Sequence, residues 1–323
     1  MTRSTRSPSA AALPLERPQR AAVVGAGAVG TVVAEAVHAA GHRVTLCARR
    51  PLESPTVERD GVRSRLDVPV ATRAAEVDPG ADWVLVATKA QDTPHTVGWI
   101  RHLAGPSTRV VALQNGIDHH DRFAPLLASG RLVPALVYIS AERLSRSHVL
   151  HRWGRRLVVP RDADGADFAE LLGRSSIEVV RHADFTTAAW GKLLTNAAAN
   201  PLTALTQQRM HVLHQSDMRE LAHGLLTEAV AAGRAEGAAL SGADARQTLD
   251  LYDGLNPQTG TSMLADRLAG RPLEYDLITG AVVRAGDRHG VPVPLSRAVL
   301  ALLRAQGGGA SRDALLGLQP RPS

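Results

Sequence analysis

"RAAVVGAGAVGTVVAEAVHAAGHRVTLCAR", residues 20–49, decides the fold. A short apolar run over residues 21–24 ends in glycine. Residues 28–40 then repeat apolar side chains at helical spacing, and Gly41 is placed to end that helix. "HRVTLCAR" is a second apolar run. Strand, helix and strand within about 30 residues make a βαβ unit, which requires a parallel sheet. The glycines fall as Gly-x-Gly-x-x-Gly at the strand-to-helix turn. Gly25 permits the tight turn, Gly27 lets a pyrophosphate approach the backbone, and Gly30 lets helix and strand pack closely. With Ala26, Ala28 and Val29 between them, these are the candidate cofactor-binding residues, since phosphates lie on the free N–H groups of a helix N-terminus. The second strand ends in Arg49 and Arg50, where an NAD-specific site carries a carboxylate for the ribose. A guanidinium there suits a 2′-phosphate, so the expected dinucleotide is NADP(H), with Arg49 as the contact.

Further along, "DWVLVAT" (82–88) and "TRVVALQ" (108–114) are continuous apolar runs, the pattern of strands buried on both faces. Strand-like segments follow near 131–140, 147–159 and 176–181. From about residue 184 the pattern becomes helical, from "FTTAAWGKLLTNAAA" to "LSRAVLALLRAQ". The expected fold is α/β: an N-terminal Rossmann-type parallel sheet over residues 20–183, then an all-α domain over 184–308. A disordered basic tail over 1–19 and a flexible tail over 309–323 are expected to flank them.

The chain has 323 residues, 44% of them hydrophobic and only 3% aromatic, so aliphatic side chains must build its core. No apolar run approaches the roughly 20 residues of a membrane span. A single cysteine, Cys47, excludes an internal disulfide framework and fits a reducing compartment, so a cytoplasmic protein is expected. The net charge is +6, and residues 1–20 hold four arginines against one glutamate, a local +3. The remainder is only mildly basic and carries no aromatic-and-basic stripe, which argues against nucleic acid and for small anions.

Of 37 basic residues only Lys89 and Lys192 are lysine, and only Asn115, Asn196, Asn200 and Asn256 are asparagine. A chain that uses arginine for every generic cation keeps lysine where a compact charge with a tunable pKa is needed. Lys89 lies just past one apolar strand and Asn115 just past another, at the carboxyl edge where open parallel sheets bind ligands. Lys192, Asn196 and Asn200 are spaced four and four within "WGKLLTNAAANPLTAL" (190–205), on one face of a continuous helix. Asn256, before Pro257, reads as a turn residue.

These segments together resemble the ketopantoate reductases (2-dehydropantoate 2-reductases). The resemblance covers roughly residues 20–295 and rests on "VVGAGAVG", "ATKA", "LQNG", "WGKLLTNAAANPLTAL", and "SML" followed by "LEYD". It implies NADPH-dependent reduction of a 2-keto acid in a cleft between two domains. By that resemblance Lys192 is the catalytic lysine and Glu274 the acidic active-site residue. Asn196, Asn200 and Ser262 match substrate-binding positions, and Lys89 and Asn115 match cleft residues beside the nicotinamide, Asn115 reaching the substrate as well. The chain departs from the family at Gln91 and Asp92, where an aromatic residue and a glutamine are usual, and in its basic N-terminal tail.

The chemistry suits these residue types. Hydride addition to a ketone builds negative charge on oxygen, which an ammonium stabilises and protonates. Carboxamides hold a hydroxyl or a carboxylate without adding charge. Asn196 and Asn200 could instead pair with a neighbouring helix, Ser262 could cap the helix "SMLADRLAG", and Glu274 could be a solvated acid at a helix start. "HH" (119–120) and "HVLH" (211–214) lack a third ligand, so no metal is expected, and no Gly-x-Ser-x-Gly elbow supports a hydrolase. The expected function is reduction of ketopantoate to pantoate in pantothenate biosynthesis by a monomer or homodimer, with a small 2-keto acid as the only partner. The alternatives are a reductase of another keto acid, or a non-catalytic NADP(H)-binding regulator.

Overall fold

A computed structural model describes residues 17–307. The tails expected over 1–19 and 309–323 lie outside it, apart from residues 17–19. Gln19 is held in place there: it accepts a hydrogen bond from the Trp83 indole and donates its amide to His42.

The first βαβ unit forms as its sequence dictates. β1 (Arg20–Val24), α1 (Ala28–Ala39) and β2 (Arg43–Cys47) follow directly on one another, and Gly41 turns the chain after α1 at φ +95°. β3 (Thr56–Arg59) and β4 (Val62–Arg65) form a hairpin, followed by the short β5 (Val70–Ala71). Next come β6 (Trp83–Val86), α2 (Val97–Leu103), β7 (Arg109–Ala112), α3 (His119–Phe123) and β8 (Arg131–Pro134). β9 (Leu136–Arg143), β10 (His148–Pro160), α4 (Ala163–Leu172) and β11 (Glu178–His182) complete this half.

A six-stranded sheet runs β5-β2-β1-β6-β7-β8 with every neighbouring pair parallel. Its central strands are mostly apolar beyond their first residues because both faces are covered: Val23, Leu46, Leu85 and Val111 are fully buried. A second sheet, β11-β10-β3-β4 with β9 antiparallel on β10, packs over α1, so that Val32, Val33 and Val37 meet Val149, Leu157 and Val159 in one core. The three predicted strand segments after residue 130 supply β8 to β11. The β3–β4 hairpin was not foreseen; it turns at Asp60 and Gly61, both at positive φ, the requirement of a two-residue hairpin loop.

The second half is helical: α5 (Phe185–Ala197), α6 (Ala199–Thr206), α7 (Ser216–Ala235), α8 (Gly242–Gly254), α9 (Ser262–Leu268), α10 (Thr279–His289) and α11 (Pro294–Gly307). The Asp184 carboxylate caps α5 by accepting from the Thr187 amide at 2.9 Å. α7 is the central helix, and Leu225, Leu226 and Val230 pack with Trp190, Leu193 and Leu194 of α5. At Gly233 a Cβ would lie 2.9 Å from the Trp190 ring, so α5 and α7 approach closely only because that position is glycine. The continuous helix expected through residue 200 is interrupted: α5 ends at Ala197, Ala198 is distorted to φ −108° within the right-handed region, and α6 begins at Ala199. Pro201 is the cause, since it has no N–H to return to Ala197 and its ring crowds that carbonyl. Among the described residues no helix is long and apolar enough to cross a membrane.

Candidate active site

Strand register brings the site residues to one edge. Val24 pairs with Cys47 and Val86, and Val86 with Ala112, so the chain leaves β1, β2, β6 and β7 at one level. Gly25 takes φ +114°, and a Cβ there would meet the Thr88 amide at 2.7 Å. Gly30 is more constrained, for its Cβ would lie 1.9 Å from the Gly25 carbonyl oxygen. At Gly27, by contrast, the nearest atom to a Cβ is 4.0 Å away, and no side chain caps α1. Space and free backbone N–H groups therefore meet at Gly27, while Ala26, Ala28 and Val29 are half-buried around it. Arg49 is exposed two residues beyond β2 at the same edge. The open turn at Gly27 and the uncapped helix N-terminus fit the phosphates of a dinucleotide.

The rare residues converge across the two halves of the chain. Lys192 Nζ on α5 donates to Asn115 Oδ1 at 3.1 Å, and Asn115 Nδ2 donates to Glu274 Oε2 at 3.1 Å. One carboxamide thus bridges the amine and the acid, and its two ends are matched to a donor and an acceptor. Glu274 is 7% exposed and also accepts from the Ala90 amide, so it is not the solvated acid that its place before a helix allowed. Burial pushes the Lys192 amine down to about 8, against the pull of Glu274 in the other direction. The Tyr138 ring lies 5.6 Å from that nitrogen. Lys89 Nζ reaches Asp266 Oδ2 at 2.9 Å and Glu274 Oε2 at 3.5 Å. Burial alone would depress Lys89, but Glu274 and Asp266 outweigh it and raise the amine above its ordinary value. The chain's two lysines are therefore tuned in opposite directions within one cluster.

Asn115, Lys192 and Asn196 form the polar wall of a narrow cavity, and Ile117, Leu193 and Ile278 its apolar wall. A wider groove of about 420 Å³ between α7 and α8, lined by Arg219, Arg246 and Asp250, touches none of these residues. Asn200 is not on the cavity. It lies buried on α6 with Nδ2 unpartnered, so it has no partner on a neighbouring helix for that nitrogen. Ser262 is exposed at the first position of α9, and it is Thr261 that caps this helix by accepting from the Leu264 amide. Asn256 does make a turn, accepting from the Gln258 amide. Gln91 and Asp92 lie in a 3-10 turn, Ala90–Thr96, directly after Lys89. No cluster of three metal-ligating side chains occurs among the described residues.

Asp266 and its second partner Arg271, at 2.7 Å, were not singled out in the sequence. Arg122, whose guanidinium holds the Asn115 carbonyl at 3.1 Å, was missed as well. In a chain with 35 arginines, arginine itself carries no signal. Asp266 could have been noticed as the one acid inside "SMLADRLAG", four residues after Ser262.

The profile of "Ketopantoate reductase PanE/ApbA" matches residues 21–163, and that of its C-terminal part matches residues 184–307. A 2-dehydropantoate 2-reductase of Caulobacter vibrioides is 40% identical over 285 residues, covering 88% of this chain and 98% of the relative. One from Mycobacterium tuberculosis is 37% identical, covering 89% and 98%. Among solved structures, a dimeric ketopantoate reductase of Staphylococcus aureus superposes with a TM-score of 0.81 at 27% identity, covering 89% of this chain and 98% of that one. A ketopantoate reductase of Ralstonia eutropha gives 0.82 at 29%, with the same coverage. The chain belongs to the ketopantoate reductase family of oxidoreductases.

Proposed function

We propose that this chain reduces a 2-keto acid to the 2-hydroxy acid with NADPH, and that the acid is ketopantoate and the product pantoate, as in pantothenate formation. The observation that carries the reading is the Lys192 amine. It is half-buried, it is brought down to about 8, and it opens onto the same narrow cavity as Asn115 and Asn196.

The residues 25–30 and Arg49 would hold the cofactor, which when bound supplies the hydride. Near neutral pH an amine with a pKa of about 8 is roughly nine-tenths protonated. Lys192 Nζ donates a hydrogen bond to the substrate carbonyl oxygen and gives it the proton as the carbonyl carbon becomes tetrahedral. The neutral amine is then reprotonated from water. Positioned general-acid help of this kind contributes about 10²–10⁴-fold. Glu274 favours the charged amine and, through Asn115, fixes its direction. Asn196 binds the substrate's polar end on the same wall. Asn200, buried on α6 away from the cavity, takes no part in binding, and Ser262 joins the set when a bound acid extends to α9. Ile117, Leu193 and Ile278 receive the carbon chain.

Loss of NADPH absorbance with ketopantoate and with a panel of other 2-keto acids tests the reading. Turnover fastest with ketopantoate is expected. Faster turnover of another acid overturns the substrate assignment, and NADPH binding without turnover of any acid overturns the reductase.

A further inference from the structure

The reading above makes no use of α3, yet α3 grips the loop that carries Asn115. The Arg122 side chain is 13% exposed. Its Nη2 donates to the Asn115 carbonyl oxygen at 3.1 Å, and its Nη1 to Asp118 Oδ1 at 2.7 Å. The second oxygen of Asp118 accepts from Arg284 of α10, in the helical half, at 3.3 Å. One residue along, His119 Nε2 pairs with the Gln114 carbonyl at 3.0 Å. Burial holds that imidazole down at about 4, so near neutral pH it is uncharged and Nε2 carries the donated proton. Gly116 takes φ +102°, and a Cβ there would lie 2.7 Å from Arg122 Nη1 and 2.9 Å from Asp118 Oδ1. The loop therefore closes around a guanidinium, and glycine makes room for it.

Asn115 has no slack. Its side-chain oxygen meets Lys192 and its nitrogen meets Glu274, so a modest rotation of its peptide would break both bonds. A side chain's aim follows from its backbone, and among the described residues the only side-chain grip on that backbone carbonyl is Arg122. We infer that Arg122 is a positioning residue: it fixes the Asn115 peptide so that the carboxamide couples Lys192 to Glu274, and the Asp118–Arg284 pair ties this setting to the helical half. The inference rests on the proposed role of Lys192. It extends the machinery to residues that contact neither substrate nor cofactor.

A double-mutant cycle tests it. Arg122→Met is expected to lower kcat roughly ten-fold in the wild-type background, with the NADPH KM unchanged, because misplacement of a proton donor is felt in the chemical step. In an Asn115→Ala background the same change is expected to lower kcat less than about two-fold, since the group through which it acts is gone. Equal losses in the two backgrounds, or no loss in the wild type, overturn the inference. If Arg122→Met does not fold, Arg122→Lys and rescue of Arg122→Ala by added guanidinium decide it. Partial kcat from Arg122→Lys and recovery with guanidinium support the inference, and absence of both overturns it.

If wild-type protein turns over no 2-keto acid, the proposed function fails, but Arg122 can still be judged. The chain has two lysines, so ε-13C-lysine labelling gives two side-chain signals to titrate. Arg122→Met should shift the Lys192 midpoint in the wild-type background and shift it clearly less in the Asn115→Ala background, where only the loss of the guanidinium's charge remains. An unmoved midpoint in the wild-type background overturns the inference.

Discussion

Replacing Lys192 by methionine should make the protein more stable while abolishing its activity. The unfolded chain holds a lysine near 10.5, whereas the folded protein holds Lys192 at about 8. The native state thus binds fewer protons than the unfolded one between these values, so stability rises with pH across that window and the amine's penalty is greatest below 8. The difference corresponds to about 3 kcal/mol. Methionine fills similar volume without a charge, but it gives up the hydrogen bond to Asn115, worth about 1 kcal/mol. A net gain of about 2 kcal/mol near neutral pH is expected, falling close to zero near pH 10. Thermal and urea unfolding of wild type and variant at the two pH values is the assay. The gain should coincide with a loss of kcat of about 10²-fold or more. A variant less stable than wild type near neutral pH, or a stability difference that ignores pH, would refute the claim that burial of a charged amine is what tunes Lys192.

Other consequences are as specific. Gly30→Ala puts a methyl 1.9 Å from a backbone oxygen and should destabilise by at least about 2 kcal/mol in urea unfolding. Gly27→Ala comes no closer than 4.0 Å to any neighbour, so it should leave stability unchanged and raise the KM for NADPH, where the cofactor's phosphates need the space. Arg49→Ala should raise the KM for NADPH far more than that for NADH; equal effects would undo the 2′-phosphate assignment. Asp266→Asn removes one of the two carboxylates that raise Lys89, so the Lys89 signal should titrate at lower pH than in wild type while Lys192 stays near its own midpoint.

Much of this was legible in the sequence because local pattern and global fold agree there. The glycine turn, the apolar runs of β6 and β7 and the change to helix at residue 184 each follow from spacing alone. The second sheet was less visible. β10 pairs in parallel with β3, some 90 residues earlier, and with β11, and nothing local announces such distant pairing. The β3–β4 hairpin did carry a signal, Asp60-Gly61, but its flanks "TVER" and "VRSR" are too polar to read as strands. Pro201 was similarly in plain view, and its effect on the α5–α6 helix was overlooked because the four-residue spacing of Lys192, Asn196 and Asn200 reads so naturally as one face. In the site, scarcity pointed to Lys89, Asn115 and Lys192. Asp266 and Arg122 became visible only once folding had buried them beside those groups, since neither residue type is scarce in the chain.

The most direct test of the central claim is titration of the two lysine side chains by ε-13C NMR, with Lys192→Met to assign them. One signal should have its midpoint near 8 and vanish in that variant, and the other should titrate above 10.5. Two midpoints both above 10 would contradict a half-buried amine poised to give up a proton near neutral pH, and with it the role assigned to Lys192.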